Sequence, residues 1–81
     1  MKVQVRFFAT LTDLTGRRED EVDLPAESTV SSLWDELGRR YPALGGLDYR
    51  PMVACDLEYA RWETSLEGVR EVAFLPPVSG G

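Results

Sequence analysis

Apolar residues recur at every second position near the N-terminus and at helical spacing in the middle of the chain. That change of period restricts the chain to folds in which a sheet buries one face under a helix. Val3, Val5 and Phe7 alternate with Lys2, Gln4, Arg6 and Phe8, which predicts a first strand with one buried face. Leu11 and Leu14, three apart, predict a short helical turn before Gly16. Glu21 to Leu24 alternates again and is stopped by Pro25, giving a second strand joined to the first as a hairpin with a long connection. Ser28 or Thr29 can cap a helix whose Val30, Leu33, Trp34 and Leu37 lie on one stripe, with Trp34 a core residue. Asp35 with Arg39 and Glu36 with Arg40 are spaced for ion pairs along that helix, and both arginines sit where its dipole favours cations. Pro42 and Gly45-Gly46 end it. Met52 to Cys55 reads as a short strand, Asp56-Leu57-Glu58 as a turn and Tyr59 to Trp62 as an edge strand. Leu66 then plugs the core from a loop, and Arg70 to Leu75 is the last strand. The expected architecture is an α+β two-layer domain in the order β-β-α-β-β-β, a mixed sheet with one main helix packed on one face.

With 81 residues there is room for one core only. Fourteen acidic against nine basic residues give a net charge of −5. That balance argues against nucleic acid and anionic membrane surfaces as partners; the acidity either only aids solubility or suits a basic protein partner. Cys55 is the only cysteine and histidine is absent, so there is no internal disulfide, no paired thiols for a metal and no usual neutral-pH general base. Cys55 reads as a small buried hydrophobe. Gln4 and Arg6 interrupt the start, so it is not read as a signal peptide, and no apolar run is long enough to span a bilayer. The expected compartment is the cytoplasm.

The chain ends Pro76-Pro77-Val78-Ser79-Gly80-Gly81. Two prolines cannot continue a central strand and favour an extended, solvated path. Two glycines leave a thin end with no Cβ near the terminal carbonyl, as a backbone entering a narrow channel requires. Residues 1–75 are therefore expected to form the domain and 76–81 a flexible tail. Val78 to Gly81 can reach about 13–14 Å. Phe8, on the other face of the first strand from Val3, Val5 and Phe7, is either part of an exposed docking patch or is covered by the helix.

The stretch from Glu71 to Gly81 closely resembles the C-terminus of the molybdopterin synthase small subunits, the MoaD family. Val5-Arg6-Phe7-Phe8-Ala9, the helix around Thr29-Val30 with Leu33 and Leu37, and Tyr41-Pro42 also look like that family. The likeness covers essentially the whole chain, and only the tail motif is specific. Two turn positions depart from it: Gly68-Val69-Arg70-Glu71 stands where the family usually has Gly-Asp before Glu-Val, and Asp56 stands where many members have Asn.

The resemblance implies a β-grasp, ubiquitin-like fold and a sulfur carrier with no bound cofactor and no catalytic groups of its own. Gly81 would be adenylated by an E1-like (MoeB-like) enzyme using ATP and Mg²⁺, then converted to a thiocarboxylate by a sulfur donor protein. It would deliver sulfur to cyclic pyranopterin monophosphate inside the large (MoaE-like) synthase subunit, in a heterotetramer. Gly80, Ser79, Val78, Pro77, Pro76 and Phe8 would be the partner-binding residues. The alternatives are a ubiquitin-like protein modifier, a sulfur carrier for thiamin synthesis or tRNA thiolation, and an interaction domain with an inert tail. Pro-Pro-Val before Ser-Gly-Gly fits the molybdopterin branch better than the other sulfur routes.

Overall fold

A computed structural model describes residues 1–77. The alternation of Val3, Val5 and Phe7 forms strand β1 (Lys2–Phe7), with all three buried and Lys2, Gln4 and Arg6 exposed. The chain then turns through Ala9 into the short helix α1 (Thr10–Thr15), which buries Leu11 and ends on Gly16 at φ 72°. That left-handed conformation is one glycine adopts without steric cost. Strand β2 (Glu19–Asp23) starts two residues earlier than the alternation indicated and pairs antiparallel with β1, Val22 opposite Val3.

Thr29, not Ser28, caps the main helix α2 (Val30–Arg40). Its hydroxyl accepts the Ser32 amide, while the Ser32 hydroxyl accepts the Thr29 amide, so the two satisfy each other's open donors. Val30, Leu33 and Leu37 are fully buried on its inner stripe. Arg39 bonds Glu36 at 2.9 Å rather than Asp35, and Arg40 lies 3.7 Å from the same Glu36. The expected Asp35–Arg39 pair is thus replaced by an i,i+3 contact. A 3₁₀ turn over Pro42–Gly46 follows and buries Leu44.

Strand β3 (Met52–Cys55) pairs with β4 (Glu58–Ala60) through a two-residue turn, Asp56-Leu57, and with β5 (Glu71–Leu75) on its other side. The edge strand therefore begins at Glu58 and stops at Ala60. Trp62 falls beyond it, edge-on to Trp34 at 5.7 Å and tilted against Phe74 at 6.0 Å. The short strand ends early because the large indole packs against this aromatic cluster beside the core. Leu66 fills the core from its loop with no exposed surface.

The five-stranded sheet has the order β2-β1-β5-β3-β4. Only β1 and β5 run parallel, with Val5 beside Val72 and Phe7 beside Phe74. The mixed sheet with α2 on one face is the β-grasp arrangement. Its core joins Val3, Val5, Phe7, Val22, Val53, Val72 and Phe74 of the sheet to Leu33 and Leu37 of the helix. The opposite face of the sheet has no layer over it among the described elements.

Candidate functional site

Strand β5 leads to the tail. It lies in the middle of the sheet, hydrogen-bonded to β1 on one side and β3 on the other. Pairing ends at Leu75, opposite Met52, and Pro76 and Pro77 follow with no assigned secondary structure, Pro77 exposed. Proline supplies no amide for a ladder, so the sheet stops here. Val78, Ser79, Gly80 and Gly81 lie outside the described residues.

The strand pleat decides what surrounds that exit. Arg6 is level with Ala73, Ala73 with Ala54, and Ala54 with Tyr59, so all four side chains lie on the face away from α2. Phe8, one step past Phe7, emerges on the same side next to Leu75. It is 40% exposed, so the helix does not cover it. Tyr59 is 71% and Leu57 90% exposed, an unusual degree for large apolar side chains. Together they border a shallow hollow of about 260 Å³. Ala54 and Ala73 leave it open because they have almost no side chain.

Arg6 and Glu71 supply the charge in this otherwise apolar patch, with Nε 3.6 Å from Oε2. Sequence reasoning found Phe8 here but missed Leu57, Tyr59, Ala73 and Leu75. The alternation within each strand was the available signal. It needed the cross-strand register to place those residues together.

The two turns that departed from the family pattern meet in space. Asp56 has φ 49°, and its carboxylate accepts the Glu71 amide at 3.0 Å and the Arg70 amide at 3.1 Å. Gly68 has φ 78°. Asp56 therefore fixes the start of β5 where an Asn carbonyl could do the same. Cys55, on the core face of β3, is half-buried. Burial, with the nearby Asp56 charge, pushes its thiol pKa up and keeps it protonated, unlike a reactive sulfur nucleophile. On the helix side, Arg50 stacks on Trp62 at 4.2 Å beside Trp34. Among the described residues no group of three metal-ligating side chains converges, and no helix is long and apolar enough to cross a membrane.

The described arrangement thus presents an exposed apolar patch beside a strand that leads to a glycine-rich end. The ThiS family model matches residues 5–81. Molybdopterin synthase sulfur carrier subunits are similar over the full length. That of Caenorhabditis briggsae is 40% identical over 100% of this chain and 99% of its own, and that of Caenorhabditis elegans 36% over the same shares. The crystal structure of small archaeal modifier protein 1 from Haloferax volcanii superposes with a TM-score of 0.84 at 27% identity, covering 95% of this chain and 98% of that one.

Proposed function

The chain belongs to the ThiS family, among the molybdopterin synthase sulfur carrier subunits, and on that premise we propose how its end and its open face share the work. It is a carrier in molybdenum cofactor biosynthesis and not itself a catalyst. The reacting group is the Gly81 carboxylate. A carboxylate is a poor electrophile, so an E1-like partner first transfers AMP to it from ATP and releases pyrophosphate. Sulfide-level sulfur from a donor then attacks the acyl carbon, the C–S bond forming as the C–O bond to AMP breaks, and leaves a thiocarboxylate whose sulfur is anionic and polarisable. Inside the large synthase subunit that sulfur attacks the pterin precursor, and a carboxylate is regenerated at Gly81 when the thioester is hydrolysed. Gly80 keeps the passage thin, and Ser79 and Val78 line the partner's channel.

The folded body confines the sulfur. Docking through Phe8, Leu57, Tyr59 and Leu75 raises the sulfur's local concentration at the acceptor, and fixing its position removes entropy from the encounter. Ordering each backbone residue costs about 1–2 kcal/mol. Pro76 and Pro77 are already restricted in φ, so fixing them on docking costs less than fixing other residues. The observation that carries this reading is that Phe8 and Leu75 border the same hollow on the uncovered face, at the point where β5 gives way to the tail. A protein seated there has the chain end within reach.

The test is mass spectrometry of the untagged chain after incubation with the activating enzyme, ATP and a sulfur donor. The expected result is the gain of one oxygen-to-sulfur exchange, lost when Gly80 and Gly81 are deleted. An unchanged mass in the intact chain rejects the proposal. The likeness to a small archaeal modifier protein favours one second reading, in which the same activated Gly81 acylates a lysine of another protein. Higher-mass adducts on immunoblots of native extracts, abolished by the same deletion, distinguish it.

A further inference from the structure

Arg6 stands on the open face at the border of the apolar hollow, with Glu19 of β2 level with it on the other side. The Arg6 side chain is 51% exposed, and its neighbours across the hollow are Phe8, Ala54, Leu57, Tyr59, Ala73 and Leu75. Among the described residues its one ionic partner is Glu71, 33% exposed, and 3.6 Å is too long for a hydrogen bond. The approach is through Nε, which leaves Nη1 and Nη2 without an acceptor among the described residues. In the free chain water satisfies these donors. A protein covering the face removes that water, and burying unpaired guanidinium donors is costly. A planar guanidinium with two adjacent free N–H groups is matched by a carboxylate, which accepts both at once.

We propose that Arg6 determines specificity: the partner covering the apolar hollow presents a carboxylate to the Nη1/Nη2 edge, at the border of the apolar contact. The inference rests on the reading that this face docks the large synthase subunit. Glu71 then plays a secondary part. It holds the guanidinium over the hollow in the free chain and competes with the incoming carboxylate in the complex. The contact also sets register, because Arg6 on β1, Phe8 just after that strand and Leu75 at the end of β5 border one hollow.

Titration calorimetry of the full chain with the large subunit, at low and high salt, tests this. Arg6→Leu is expected to weaken binding about 10-fold and to flatten its salt dependence, and Arg6→Glu to weaken it about 100-fold. Glu71→Gln is expected to tighten binding a few-fold, since it removes the competing charge at constant shape. One Asp→Lys or Glu→Lys substitution in the large subunit should restore binding of the Arg6→Glu chain. Wild-type affinity in Arg6→Glu overturns the proposal, as does a loss in Glu71→Gln equal to that in Arg6→Leu. Phe8→Asp separates the two levels. If it binds as wild type, the docking reading itself fails. If it loses binding while Arg6→Glu keeps it, only the role of Arg6 fails. Thermal melts verify folding, and Glu71→Gln keeps the test decisive where a bulkier change unfolds the chain.

Discussion

Three non-glycine residues, Ala9, Asp56 and Leu57, have positive φ beside the open face. Leu57 has φ 72° in the β3–β4 turn, and Ala9 has φ 53° immediately after Phe8. Positive φ at both Asp56 and Leu57 is what a two-residue hairpin turn of the primed type requires, and glycine is the residue that usually supplies it at the second position. An L-residue there is strained by about 1–2 kcal/mol. Leu57 is nonetheless retained, with its side chain on the rim of the hollow. Leu57→Gly is therefore expected to stabilise the isolated chain by about 1 kcal/mol in urea unfolding, and to weaken docking about 10-fold by removing apolar area. A variant that is more stable and docks as well as wild type removes Leu57 from the interface. The sequence marked 56–58 as a turn but carried no sign of this strain, because leucine is neither a turn former nor a breaker.

At the scale of elements, β2 is fastened to the end of α2 by one carboxylate. Asp20 accepts from the Tyr41 hydroxyl and from Arg40 Nη1 at 3.1 Å, while Arg40 also donates to the Glu21 carbonyl at 3.2 Å. Burial opposes the Asp20 charge, but the hydrogen bonds from Tyr41, the Glu21 amide and Arg40 outweigh it and hold the carboxyl below its ordinary 3.8. A depressed pKa in the folded state means stabilisation that is complete above 3.8 and disappears as pH falls through the lowered value. Asp20→Asn should cost about 1–3 kcal/mol at neutral pH and flatten the acid limb of a stability-versus-pH curve. An acid limb unchanged from wild type places the sensitivity elsewhere. Local periodicity made β1, α1, α2 and the Leu66 plug readable. The Asp20–Tyr41–Arg40 contact was not readable, because it joins positions some twenty residues apart. The exchange of Asp35 for Glu36 as Arg39's partner had a different cause: both spacings are allowed on a helix, and side-chain packing chooses between them.

For the molecule as a whole, the resemblance carried by the final strand and tail led to the right family, and the alternating pattern to the right layers. Neither could show in which register β1 and β5 lie side by side. That register assembles the open face and brings Arg6 next to Glu71. The division of labour between body and tail leads to a prediction at this scale. Replacing Pro76 and Pro77 with glycine frees two residues that β5 does not use. The melting temperature should be unchanged, whereas sulfur transfer should slow about 10-fold, the effect of ordering two looser residues. Unaltered single-turnover transfer rates would show that the prolines do not pre-align the tail.

The central seat of β5 also has a mechanical consequence. Tension applied through the terminus loads hydrogen bonds in shear along both flanks of the strand together, where the same pull on β4 would unzip an edge one bond at a time. A pull on the end of β5 is therefore shared by two ladders, and the sheet yields only when both give way together.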